Sequence, residues 1–250
     1  MLDLELTIYI PDAVQFMMYF DNDAVQVDLD QSYLNALDTA VQNAQAIAAE
    51  AGLEPRFLHP KNRTTNDLPD IPTQFAFMCC PRSISDLSSK IGLGYIGPKV
   101  RRIIRAASFP VLMTSAVFKP WKSIVVLFGG SDCALNALRY GIQLAKRSGY
   151  PLDLFTQLER DEHYYEQQIR AARLDDMIDR HCRHRYYFDE GEFTHNLYGV
   201  PHDALVLSGA YGHGLIKQML FGSKLEIVQS TMTNNMLLSG PRAMVSMATH

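Results

Sequence analysis

The sequence has few cysteines, a single tryptophan, no excess of positive charge and no long apolar run, and most of these shortfalls exclude a class of protein. The four cysteines, Cys79, Cys80, Cys133 and Cys182, are too few in 250 residues for a disulfide framework. A small secreted module stapled by bridges is thereby excluded, and a reducing compartment is the default. No stretch reaches the roughly 18 apolar residues that a membrane span needs. The opening Met1-Leu2-Asp3-Leu4-Glu5 has no positive segment of the signal-peptide kind. The expectation is a cytoplasmic protein without membrane contact. Acidic residues outnumber basic ones, 27 to 23, for a net charge of -4, so no general nucleic-acid binding is expected. The one basic cluster, Lys99 to Arg105, reads as the polar face of a helix.

What is present is a chain that can bury a sizeable core, with 47% hydrophobic and 20% charged residues. Its length suits one to two domains. The second half is the more legible. Trp121 to Phe128 is a continuous apolar run, the mark of a strand buried on both faces. Gly129-Gly130-Ser131-Asp132 breaks it and offers N-cap residues. Ala134, Leu135, Leu138, Ile142 and Ala145 then recur at helical spacing until Gly149 and Pro151 stop the helix. Leu152 to Thr156 predicts a second strand. Tyr165, Ile169, Ala172 and Ile178 form a helical stripe within Asp161 to Cys182. Further strands are expected at Arg185 to Phe188, Ala204 to Leu207 and Asn235 to Ser239, with a helix opening at Ser223. Strands alternating with helices imply a parallel sheet covered on both faces.

The first half reads as a damaged copy. Ile71-Pro72-Thr73-Gln74-Phe75-Ala76-Phe77-Met78 has the pattern of Val200-Pro201-His202-Asp203-Ala204-Leu205-Val206-Leu207. Gly97-Pro98-Lys99-Val100 through Val111-Leu112 parallels Gly222-Ser223-Lys224-Leu225 through Met236-Leu237. Leu2-Asp3-Leu4 echoes Leu152-Asp153-Leu154, which leaves the first strand and first helix out of the first copy. Pro11-Asp12, between Leu4–Ile10 and Val14–Phe20, then suggests a hairpin filling the gap. A rival alignment on Leu34 to Leu37 makes residues 25–51 the first strand and helix. The expected domains are 1–118 and 119–250.

The chemistry-bearing pattern is Ser208-Gly209-Ala210-Tyr211-Gly212, nine further residues, then Gly222-Ser223. Glycines let backbone N–H groups approach an anion closely, and a helix opening at Ser223 aims its free N–H groups at the same place. The plain alternative is a tight strand-to-helix connection with no ligand. This spacing resembles the G-x2-G-x9-G-[S/T] nucleotide-binding motif of the universal stress protein (UspA) family. Residues 121–240 follow that family's strand and helix order, and residues 1–118 follow it from the second strand onward.

The resemblance implies two tandem α/β units of the adenine-nucleotide alpha-hydrolase-like kind. Each would be an open, mainly parallel sheet with helices on both faces, the first unit incomplete. It implies an ATP or AMP site, with magnesium accompanying ATP, at Gly209, Gly212, Gly222 and Ser223, with Gly129 and Ser131 beside it. It implies a stress-response module and not a dedicated enzyme. It further implies that the last strands of the two units, Val111 to Thr114 and Met236 to Ser239, pair in an intramolecular pseudo-dimer, with a homodimer of whole chains and unidentified protein partners beyond that. Gly129 stands where family members that bind nucleotide carry an aspartate; Asp132 follows three residues later. In the first copy Cys79-Cys80-Pro81-Arg82 replaces the glycine pair and Pro98 supplies no N–H donor, so no nucleotide is expected there.

Other readings compete. Phe128-Gly129-Gly130-Ser131-Asp132-Cys133 is similar to the S-G-G-x-D-S loop of PP-loop ATP pyrophosphatases, without its two serines. Asp132 and Asp203 are the carboxylates expected near the loop ends. A nucleotide-free interaction scaffold is the third reading. His181-Cys182-Arg183-His184, with His195 and His202, has metal-ligand residue types but reads more simply as a polar helix end.

Overall fold

The computed structural model describes residues 5–10, 15–20, 23–28, 37–58, 75–81, 96–114, 120–189, 191–211 and 233–245. By compactness the chain divides into two units, one of Asp3–Thr73 with Ile84–Lys90, the other of Met1–Leu2, Gln74–Ser83 and Ile91–His250.

In the smaller unit, β1 (Thr7–Tyr9) runs parallel to β4 (Arg56–Leu58), with Thr7 opposite Arg56. Parallel neighbours need a crossover, and helix α1 (Leu37–Glu50) lies between them in sequence. An antiparallel hairpin, β2 (Gln15–Phe20) with β3 (Asp23–Asp28), is inserted ahead of the helix. The expected hairpin about Pro11-Asp12 is therefore corrected. Gln15–Phe20 pairs with the segment that follows it, and Thr7–Tyr9 pairs across the helix. β1, α1 and β4 follow one another as strand, helix and parallel strand, and Leu2-Asp3-Leu4, expected as a strand, lies outside the described residues. Residues 25–28 belong to the hairpin and make no parallel strand.

The larger unit is built on one seven-stranded sheet. Its strands are β5 (Met78–Pro81), β6 (Val111–Thr114), β7 (Ser123–Leu127), β8 (Leu152–Gln157), β9 (Cys182–Phe188), β10 (Ala204–Gly209) and β11 (Met236–Ser239). Their order is β5-β6-β11-β10-β7-β8-β9. Every neighbouring pair is parallel except β6 with β11, where Met113 faces Met236 and Val111 faces Leu238. The sheet is mixed and mostly parallel, with helices on both faces. The strand adjacent to β6 thus comes from the far end of the chain, and the two strands expected to meet do so by hydrogen bonds.

Burial explains why the middle strands read so clearly. All five residues of β7 are buried, as are all six of β10. Helix α3 (Asp132–Ser148) packs on them, and Gly141 sets how closely: a Cβ there would stand 2.6 Å from Val126 Cγ2. The helix ends are those the sequence offers. Ser131 is the N-cap, its Oγ accepting from Ala134 N at 3.3 Å, and Gly149 ends the helix at φ 72° with its N–H donated to Ala145 O. Asp132 in the first turn and Lys146 and Arg147 in the last complement the helix dipole.

The stripe expected as one helix is two. Helix α4 (Glu162–Ala171) stops, Arg173 adopts φ 55°, and α5 (Asp175–His181) continues into β9 without a loop. The turn lets Leu174 and Ile178 join Tyr165 and Ile169 in one core cluster, which a straight helix would not. Of His181-Cys182-Arg183-His184, His181 ends α5 as a basic residue of its last turn, and Cys182, Arg183 and His184 belong to β9. Among the described residues no group of three or more His, Cys, Asp or Glu stands together as a metal site, and no helix is long and apolar enough to cross a membrane.

Helix α2 (Pro98–Ala106) starts at Gly97-Pro98, with proline in the first turn where its missing N–H costs nothing. Its Ile103 and Ile104 are fully buried. After β11 the chain turns at Gly240, where a Cβ would lie 1.9 Å from the Ile104 carbonyl oxygen. Met244 N then donates to Ser108 O at 2.9 Å, while Asn136 Nδ2 donates to Ala243 O at 2.8 Å. Replacing Gly240 by alanine forces the backbones apart and is expected to lower the unfolding free energy by about 1–3 kcal/mol. Gly149→Ala, which meets nothing within 4 Å but keeps a positive φ, should cost about 1–2 kcal/mol. Urea denaturation of both variants measures the difference.

Candidate functional site

Of the candidate nucleotide residues, the described ones, Gly129, Ser131 and Gly209, lie at the carboxyl ends of β7 and β10. These strands are neighbours, with Ser208 opposite Leu127. They also mark the point where the strand order reverses, since β7 leads to β8 on one side while β10 leads to β11 on the other. Open α/β sheets bind ligands at this crevice. Gly129 and Ser131 follow β7, and Gly209 closes β10. Gly212, Gly222 and Ser223, with the helix expected from Ser223, lie outside the described residues.

Each described residue has a local reason to be where it is. Gly209 is pressed against the start of α3: a Cβ would stand 2.4 Å from Ala134 N and 2.5 Å from the Cys133 carbonyl carbon. Only glycine lets strand and helix backbones approach so closely. Gly130 has φ 73°, and a Cβ there would meet Tyr164 Cε1 at 3.0 Å. The rings of Tyr164 and Tyr165, 5.2 Å apart and edge to face, cover that side of the turn, and Arg160 stands 4.5 Å over Tyr164. Tyr165 is fixed by Glu159 N, which donates to its hydroxyl at 3.0 Å. Ser131 is occupied as a cap, and Asp132 is exposed at the positive end of the helix, where its carboxylate competes with any added anion.

Asp203 is not part of this site. It precedes β10, and its carbonyl accepts from Lys122 N just before β7, so it lies at the amino end of the strands. The reading that placed it near the loop ends missed that the glycine loop leaves the opposite end of its strand. Phe128 of the PP-loop-like stretch is fully buried beside Tyr165, at 6.3 Å between ring centres, and Cys133 is buried as well. Both positions at which that loop carries serine are therefore buried.

Burial raises the pKa of Cys79, Cys133 and Cys182, and burial together with the adjacent Cys79 pushes Cys80 up to about 12.

At the sheet edge, sequence reasoning missed two ion-pair groups. Asp153 is 2% exposed. It is held by Arg183 through Nε–Oδ1 at 3.0 Å and Nη2–Oδ2 at 2.5 Å. The β8–β9 register shifts between Leu152 and Asp153, so Leu152 faces Cys182 and Asp153 faces His184. Arg183 is the extra residue of this bulge and turns back to the carboxylate. Glu166 of α4 accepts from Arg185 at 3.1 and 3.2 Å and from the Tyr187 hydroxyl, while Arg185 also reaches Asp179. Burial and the Glu166 hydrogen bond hold the Tyr187 phenol above its usual pKa. The charged pattern from Asp161 to Cys182 was the available signal, but it could not name partners across strands.

Two outcomes follow. Gly209→Ala should displace the α3 start and destabilise the fold by about 1–3 kcal/mol, read by thermal or urea unfolding. With an ordinary thiol at 9.0 and Cys80 at about 12, the thiolate fraction of Cys80 at pH 8 is lower by about a thousandfold. Alkylation with iodoacetamide should spare it in the native state and reach it in urea.

No protein-family model matches the chain, and no curated protein matches it in sequence. Solved structures match it in shape. A universal stress protein from Archaeoglobus fulgidus superposes with a TM-score of 0.54 at 16% identity, over 86% of this chain and 80% of that one. A Pseudomonas aeruginosa structure provisionally assigned as a universal stress protein gives 0.52 at 11% identity, over 95% and 83%. A Pseudomonas aeruginosa protein described as functionally unknown gives 0.51 at 13% identity, over 95% and 83%. At these identities the likeness is one of fold, and the chain has the universal stress protein fold, a mostly parallel α/β sheet with helices on both faces.

Proposed function

We propose that the chain is a cytoplasmic tandem universal stress protein whose second half binds ATP or AMP as a signal in a stress response, and not a dedicated enzyme. The observation that carries this reading is that Gly129 and Gly209 stand at the carboxyl ends of the neighbouring strands β7 and β10, at the switch point of the sheet. The phosphates would lie against the backbone of Gly209, Gly212, Gly222 and Ser223. Magnesium accompanying ATP would offset phosphate charge. Ser131 would turn its hydroxyl hydrogen outward while its oxygen caps α3. In the tandem reading residues 1–118 and 119–250 are the two copies, the β6–β11 pairing is the internal pseudo-dimer contact, and the first copy gives structural support without a nucleotide of its own.

Binding would be weak for two physical reasons. Gly129 offers no carboxylate to a ribose hydroxyl, and the exposed Asp132 already occupies the positive end of α3. A nucleotide-free scaffold is the second reading, and it draws on Gly209, whose close packing on Ala134 accounts for the glycine without a ligand.

Calorimetry with ATP and AMP separates the two. Wild-type protein is expected to bind, Gly212→Val to lose binding, and Gly129→Asp to tighten it by about tenfold for one added charged hydrogen bond of 1.5–3 kcal/mol partly spent on ordering. No heat and no bound nucleotide at millimolar ligand leaves the scaffold.

A further inference from the structure

Among the described residues the seven-stranded sheet ends on β5 at one edge and β9 at the other. The two edges differ in what they offer a further strand. Along a strand, successive residues turn their N–H and C=O groups to one side and then the other. In β5, Met78 N donates to Pro110 O beside β6, so Cys79 and Pro81 turn outward. Pro81 has no N–H, and β5 is four residues long. Short strands and edge prolines are how a sheet edge is closed. β9 has seven residues and no proline. There Phe188 O accepts from Leu158 N beside β8. The main-chain groups of His184, Tyr186 and Phe188 therefore turn to β8, and those of Arg185 and Tyr187 point away from the sheet. The bulge at Arg183 confines regular pairing to the residues that follow it.

Side chains hold this edge extended. Arg185 and Tyr187 are both bound to Glu166 on the side of α4. On the other face Tyr186 and Phe188 lie nearly parallel with ring centres 6.3 Å apart, and Phe155 stands 4.6 Å from Tyr186. Tyr186 is nevertheless 38% exposed, and Asp189, the next residue after the strand, is exposed as well.

Charge selects both the occupant and its register. An antiparallel second copy of β9 centred on Arg185 sets two guanidinium groups directly opposite each other, which is destabilising. Centred on Tyr186, it sets Asp189 opposite Arg183, whose side chain is turned back to Asp153 in the bulge. Centred on Tyr187, it lets the outward groups of Tyr187 bond across the axis and sets Arg185 opposite Asp189 of the other copy, once on each side. The same register sets Tyr186 opposite Phe188 at the positions without hydrogen bonds, where side chains approach most closely.

We propose that the outer edge of β9 is a self-association surface, on which two copies of the chain pair antiparallel about Tyr187 and continue one sheet across a two-fold axis. The occupant is a second copy because one short segment supplies both members of each charge pair and each aromatic pair. The proposal is independent of the nucleotide reading.

Sedimentation velocity on the full-length chain over a range of concentrations is the first test, with wild type expected to dimerise. Asp189→Lys places two positive charges together on each side of the axis and should weaken the dimer by about tenfold or more. Glu50→Lys, the same change of charge on the exposed side of α1, should leave it unaltered. The second test is hydrogen exchange, in which residues 185–189 should become protected as wild type dimerises and stay exchangeable in Asp189→Lys at the same concentration. A chain that remains monomeric at submillimolar concentration overturns the proposal. So does a dimer as stable in Asp189→Lys as in wild type, or one whose formation leaves exchange at 185–189 unchanged, since it then forms through another surface.

Discussion

The antiparallel contact between β6 and β11 is the constraint on which the larger unit depends. Without it β5 and β6 would be an isolated two-stranded pair, marginal in water. With it they extend a five-stranded sheet to seven strands. The contact is apolar throughout: Val111, Leu112 and Met113 on one side and Met236, Leu237 and Leu238 on the other are all buried. It also brings α2 against the turn at Gly240. Parallel strands cannot be joined by a short turn, but here the two strands come from opposite ends of the unit, so antiparallel pairing requires no connection between them.

The same topology accounts for the division of the chain into two units. In the order β11-β10-β7-β8-β9, the first strand of the series, β7, sits in the middle and holds the later pair to the earlier one. In the tandem reading the first copy has no counterpart of β7. Its remaining strands fall into two sets, β1 with β4 in one sheet and β5 with β6 in another. Removing a central strand divides a sheet where removing an edge strand would only narrow it. In that reading the two copies and the two compact units need not coincide.

The candidate site shows how fold and ligand compete for the same groups. Glycine at 209 serves the packing of β10 on α3, the hydroxyl of Ser131 caps that helix, and Asp132 stabilises its start. Each is also what an anion at the switch point would meet. The aromatic cover from Tyr164 and Tyr165 leaves the Gly130 side closed.

By itself the sequence determined the strongly patterned elements. The apolar run ending at Phe128 is β7, Ser131 and Gly149 bound α3, and the apolar ends of both halves are β6 and β11. These follow from burial on both faces and from capping chemistry, which act over a few residues and leave a local pattern. The glycine spacing was equally plain, although three of its four positions lie outside the described residues. Only tertiary structure decided the rest. The break at Arg173 follows from the need to turn Leu174 and Ile178 inward, and no glycine or proline marks it. The Asp153–Arg183 pair requires a bulge that depends on the register of two strands. The hairpin of β2 and β3 replaced one expected at Pro11-Asp12 because turn residues state where a chain can bend and not which strand it then meets. The bond from Tyr211 to the Arg101 carbonyl spans 110 residues and ends on a backbone atom, and a main-chain acceptor has no side chain by which a sequence could announce it.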